Sequence, residues 1–230
     1  MNVRTLAICA LGVGLLTRGL DAQGLAQYRN FELKSDLAAI SKLTGVASSE
    51  AKTIHTRPAM LQDLEFRPSR WIPDSTAAST DPVDQMVFSF YNDQLFRIIV
   101  DYGHERTEGM TDADMIAAIS AVYGTPVARA PGTVRAASRI ETESGTPLAR
   151  WGGADHAVTL YRTSSYREAF RLIVTERALD DLARKATLQA ARLDDQEAPQ
   201  REIARQKKER DDGRAAAEKA RTVNKRVFRP

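Results

Sequence analysis

Two segments whose starts lie 76 residues apart begin and end alike, and this internal similarity constrains the fold more than any other feature of the chain. Residues 35–45 (SDLAAISKLTG) and 111–124 (TDADMIAAISAVYG) each open on a hydroxyl residue followed by Asp and close on Gly. A side-chain oxygen at a helix N-cap accepts the first unpaired backbone N–H groups, acidic residues suit the positive end of the helix dipole, and glycine enters the left-handed cap. Both segments are predicted as helices, with Ser35 and Thr111 as caps and Asp114 closing a short-armed capping box. Further matches follow in chain order: Arg70-Trp71 with Arg150-Trp151, residues 87–91 (VFSFY) with 157–161 (AVTLY), and residues 96–100 (FRIIV) with 170–174 (FRLIV), at offsets of 80, 70 and 74. Offsets that drift while order is kept are what loop insertions between two copies of one unit produce.

Each copy then reads as a helix followed by four strands. In the first, strands are expected over 51–57, 61–66, 86–90 and 95–102, with Asn92-Asp93 as turn residues between the last two. In the second they are expected over 137–143, 147–151, 156–162 and 169–175. Pro58 and Pro68 fit strand ends. Strands joined by short polar turns are antiparallel, so the expected class is α+β: one antiparallel sheet built from two tandem α-β-β-β-β repeats, about 28–102 and 107–176, with helices on one face. Phe88, Phe90, Phe96, Ile98 and Val100 make that face apolar. Ser89, Arg97 and Asp101 face the other way, with Ile99 breaking the alternation. The second face is the candidate binding surface, marked by Trp71, Trp151, Arg97 and Tyr161. The two tryptophans serve either as stacking platforms for a ring or as core anchors.

The N-terminus reads as a processing segment over residues 1–22: a short basic start, a twelve-residue apolar run from Thr5 to Leu16, and a small residue at Ala22. Such a run is too short to span a bilayer, which takes about 20 residues. The chain is therefore expected to be exported, periplasmic or secreted, with no transmembrane segment in its mature part. The only cysteine, Cys9, falls inside the apolar run, so neither an intramolecular disulfide nor a cysteine zinc site is expected. A mature chain of this size buries roughly 70% of its unfolded surface and needs no such staples.

Charge is uneven along the chain. Residues 200–230 hold eleven Lys or Arg against five Asp or Glu, whereas the remainder of the mature chain is net acidic. In an exported protein this basic tail meets anionic surfaces rather than nucleic acid. From Ala178 onward the composition is that of a long helix, with Leu179, Leu182, Ala186 and Leu193 as an apolar stripe. Residues 177–198 are expected to pack on the domain. Pro199 is expected to interrupt or kink the helix, leaving 199–230 as a charged helical or disordered tail.

Signs of catalytic chemistry are sparse. Ser49-Glu50-Ala51-Lys52 matches S-x-x-K, but neither companion motif of that chemistry occurs. His104-Glu105 reads as charged residues of a surface link. His55 and His156 sit on strands. Asp112, Asp114, Asp180 and Asp181 fall at helix starts, where the dipole accounts for them. No catalytic residue, metal ligand or cofactor is assigned.

Two tandem helix-plus-four-strand units in an exported chain resemble the β-lactamase-inhibitor-protein-like architecture. Single copies also resemble envelope-assembly lipoprotein domains of the SmpA/OmlA type. The resemblance covers residues 28–176 and implies a binding role. Those inhibitors carry disulfides and those lipoproteins a lipidated cysteine, neither of which this chain has, so no functional residue carries over. The function expected first is an exported, non-enzymatic binding or envelope-associated interaction protein of unknown partner. The alternative is a carrier holding a small apolar molecule in an enclosed pocket between sheet and helices, lined by Phe and Ile. A hydrolase with an unfamiliar site comes last.

Overall fold

The computed structural model describes residues 24–68, 81–127, 145–164, 168–227 and 229. Residues 1–22, Trp71 and the strand expected over 137–143 lie outside them. The described chain is α+β. A small hairpin, β1 (Gln27–Tyr28) and β2 (Phe31–Glu32), precedes helix α1 (Leu37–Thr44) and a single 3-10 turn at Ser48–Glu50. Strands β3 (Lys52–His55), β4 (Leu61–Phe66), β5 (Val83–Tyr91) and β6 (Gln94–Gly103) follow. Then come a one-turn α2 (His104–Thr107), α3 (Asp112–Tyr123), β7 (Thr146–Gly152), β8 (His156–Arg162), β9 (Glu168–Glu176) and a long α4 (Arg177–Val227).

The two helices expected from the matched segments form, each by local chemistry. Thr111 accepts from the Asp114 N–H while Asp114 reaches back to the Thr111 N–H, the reciprocal capping box. In α1 the cap is Asp36 rather than Ser35: its carboxylate accepts from the Ala39 N–H at 2.6 Å. Gly45 closes α1 at φ +74°, the left-handed region where a side chain is strained. Asn92 and Asp93 both take positive φ, which makes a two-residue turn whose twist matches the β5–β6 hairpin.

The seven strands run β3-β4-β5-β6-β9-β8-β7, every pair antiparallel. The two meanders thus meet through their last strands. Ile99 lies opposite Ile173, its equivalent at the 74-residue offset, so Ile98 meets Val174 and Val100 meets Leu172 about that point. The other matches do not keep this register. Val87 pairs with Ile99, whereas the partner of Ile173 on β8 is Thr159, two residues from the position that the VFSFY match implies. Trp151 lies opposite Val158, and through it Val174. The corresponding place in the first meander belongs to Phe66, through Met86 and Val100, not to Trp71. A two-residue slip preserves the in/out alternation, which is all a string of residue types can report.

One sheet face carries the main core. Ile40 of α1 and Met115, Ile119 and Tyr123 of α3 pack there with Phe88, Phe90, Ile98, Val100, Leu172 and Val174. Phe96 was expected on this face but is not in this cluster. A bulge where β5 passes from Ser89 to Phe90 places both Leu95 and Phe96 against one residue of β5. Leu95 then enters the main core, and Phe96 packs with Leu61 and Ala183 of α4.

The beginning of α4 therefore covers the opposite face. Its buried stripe is Asp180, Ala183, Ala186 and Ala190, whereas Leu182 is exposed. Of the expected stripe, Ala186 is buried, Leu179 packs against Leu61, Phe96 and Ala183, and Leu193 is half-buried, so Leu182 alone leaves it. Glu176 accepts from the Leu179 N–H at 2.6 Å and caps the helix start. Arg57, beside β3, pairs with Glu197 near the far end of the docked part. The helix runs through Pro199 without the expected interruption, and the tail takes the helical of its two expected forms. That stretch is exposed, so the carbonyl that the proline leaves without a backbone donor is open to solvent. The Arg201 guanidinium also donates to the Asp194 carbonyl oxygen at 2.8 Å and to its carboxylate at 3.1 Å. Residues 198–227 are exposed throughout, an arm of roughly 45 Å at about 1.5 Å per residue.

Candidate functional site

The residues that form a cavity come from four separate elements. Tyr28 ends β1 and Arg29 follows it in the turn, Tyr102 lies near the end of β6, Arg106 and Thr107 belong to α2, and Met115, Ala118, Ile119, Val122 and Tyr123 line one side of α3. Together with Pro82 and Met110 they enclose a half-open cleft of about 340 Å³. Its walls are apolar apart from three phenols, one threonine and two guanidinium groups.

Hydrogen bonding fixes the phenols. The Tyr123 hydroxyl donates to the Gln27 carbonyl at 2.9 Å and ties α3 to the hairpin. The hydroxyls of Tyr28 and Tyr102 share one long bond of 3.4 Å. Burial pushes all three phenols above the ordinary tyrosine value of 10.0, Tyr102 furthest into the interior. A phenol held that way stays neutral near pH 7 and serves as a hydrogen-bond donor, not as a base or nucleophile.

The two arginines differ. Arg29 makes a bidentate pair with Asp81, both contacts 2.8 Å, and its guanidinium lies 5.4 Å from the centre of the Tyr28 ring. That pair holds the Asp81 carboxyl below its usual range. Asp81 also accepts from the Val83 N–H at 2.9 Å, so the ion pair fastens the hairpin to the start of β5. Arg106 is exposed at the rim and makes no ion pair or hydrogen bond with the described residues.

None of the marked residues that the structure describes, Trp151, Arg97 and Tyr161, lines this cleft. Trp151 is fully buried and its indole N–H donates to the Ser120 hydroxyl at 3.2 Å, which makes it the anchor between β7 and α3. Arg97 is 8% exposed and pairs with Asp180 under α4. Tyr161 packs with Ile99 and Ile173 on the same side of the sheet. These three are therefore not an accessible surface: α3 covers Trp151 on the main-core face, the first turns of α4 cover Arg97 on the other, and Tyr161 is buried on that second face. Trp71 lies outside the described residues. Among the dipole-assigned carboxylates, Asp112 pairs with Arg162 at 2.5 Å and Asp180 with both Arg97 and Arg184. Ser49 and Lys52 are exposed, on the 3-10 turn and β3. No group of three His, Cys, Asp or Glu suited to a metal occurs among the described residues.

The tyrosines went unmarked because each looks ordinary where it stands. Tyr102 continues an alternating strand and Tyr123 ends an amphipathic helix. Only the folding back of the β1–β2 hairpin against α3 brings them to Tyr28. No protein-family model, curated protein or solved structure matches the chain. No helix among the described residues is long and apolar enough to cross a membrane.

Proposed function

We propose that this is an exported, non-enzymatic binding protein that holds a small, largely apolar molecule in the tyrosine cleft. The observation that carries the reading is the cleft itself: about 340 Å³, at the lower end of the range of small-molecule sites, with apolar walls and a few convergent polar groups. It differs from the pocket expected of a carrier in being half-open and in using tyrosine and methionine beside Ile119. Support for a binding role over catalysis comes from the lining, in which the perturbed groups are phenols that burial holds neutral and the Arg29 guanidinium that Asp81 holds charged. Support for export comes from the basic-apolar-small order of residues 1–22. Isothermal titration with decan-1-ol and sodium decanoate tests the site. Saturable one-to-one binding of at least one probe, abolished by Ala118→Trp at the rim, is expected. No binding of either probe by the unaltered chain refutes it.

A second reading, interaction with an envelope component, rests on the exposed part of α4. Five basic residues, Lys207, Arg210, Arg214, Arg221 and Lys225, recur at helical spacing along one side of that arm. Its test is recovery of partners from envelope extracts with and without residues 199–230; equal recovery removes the arm from docking. The near-symmetric register about Ile99 and Ile173 supports reading the two meanders as copies of one unit.

A further inference from the structure

Resting on the cleft reading above, we infer that the molecule held there is a small monocarboxylate with an apolar body of about ten carbons, its carboxylate at the Arg106 rim. Three observations lead to this ligand class. Among the described residues the cleft takes in two arginines and no acidic side chain, and Asp81, the carboxylate at its edge, is already engaged by Arg29. The guanidinium of Arg106 therefore brings an uncompensated positive charge to the mouth.

The phenol pair supplies the second observation. Tyr28 and Tyr102 have two hydroxyl hydrogens and share one bond, so whichever donates to the other, one hydrogen remains for an acceptor outside the pair. A carboxylate offers several lone pairs and takes both this hydrogen and those of the guanidinium. Charge-assisted bonds of that kind are the stronger ones, and they form here beside apolar walls. Size is the third observation. A volume of about 340 Å³ equals roughly eleven water volumes at about 30 Å³ each, room for a molecule of about ten to twelve non-hydrogen atoms. The body then lies among Met110, Met115, Ile119 and Val122, where methionine side chains adapt to differing shapes.

Decanoate and decan-1-ol share an unbranched ten-carbon skeleton and differ at its head, a carboxylate against a hydroxyl, so titrating both into the full chain and into Arg106→Gln separates the two claims. The expected result is decanoate at least fivefold tighter than the alcohol, a gap that closes in Arg106→Gln while alcohol binding stays as it was. Equal affinity for both probes, unchanged by Arg106→Gln, overturns the carboxylate inference and leaves the cleft reading intact. Binding of neither probe overturns both. Decanoate binding that survives in Ala118→Trp also overturns the inference, since the anion then sits elsewhere. Far-UV circular dichroism of each variant confirms that the fold is kept.

Discussion

Replacing Asp180 with leucine tests whether α4 is seated on the sheet by the buried pair it makes with Arg97. Both groups are nearly inaccessible, at 8% exposure for Arg97 and 7% for Asp180. Removing one partner of such a pair leaves a charge without compensation and costs about 3–5 kcal/mol. Asp180→Leu removes a partner of Arg97 and of Arg184 together, so the upper part of that range is expected. Arg97→Leu leaves Asp180 with Arg184, whose guanidinium is 3.0 Å away and partly solvated, so the lower end is expected. The double variant replaces the pair by two apolar side chains over Phe96 and Leu61, and its stability should lie within about 1 kcal/mol of the unaltered chain. The assay is urea unfolding followed by near-ultraviolet circular dichroism and by Trp151 emission in a Trp71→Phe background. With a slope of about 2 kcal/mol per molar urea, a loss of 3–5 kcal/mol moves the midpoint by about 1.5–2.5 M. If the double variant loses as much as the two single variants combined, the groups are not coupled, and the seating of α4 argued here is wrong.

Three further outcomes are expected. Deleting residues 199–230 should lower the helical signal in the far ultraviolet yet leave the melting temperature of the body within about 2 °C, because exposed positions contribute little to stability; a large drop would show that the arm packs on the body. Trp151→Ala should destabilise the fold by about 3–5 kcal/mol through the cavity it leaves, and Trp151→Phe by clearly less, as read from the same urea curves. Raised phenol values mean that the folded chain keeps protons which the unfolded chain releases above pH 10, so stability is full below that value and falls as pH rises past it. The urea midpoint should fall between pH 8 and pH 11, and Tyr28→Phe, Tyr102→Phe and Tyr123→Phe combined should flatten that fall; an equal fall in the triple variant would place the effect elsewhere.

Local chemistry made much of the fold legible. Capping residues, glycine stops, alternating strands and the Asn92-Asp93 turn act through neighbours a few positions away, and their consequences appear as α1, α3, β4, β6, β8 and the β5–β6 hairpin. The long helical composition after Ala178 likewise became α4. What stayed hidden depended on backbone registration. The bulge beside Phe90 moves Phe96 to the other face, and a two-residue slip separates the VFSFY and AVTLY strings although both alternate alike.

Residue types alone marked α1, α3, the long C-terminal helix and the seven strands of the main sheet, because backbone propensity and side chains one turn or one pleat apart make those choices. Long-range packing settles that α4 covers the second face, that Trp151, Arg97 and Tyr161 are buried, and that Tyr28, Tyr102 and Tyr123 share a cleft. Each of those results joins groups separated by many residues, and they follow from how the hairpin, the sheet and the helices exclude water together.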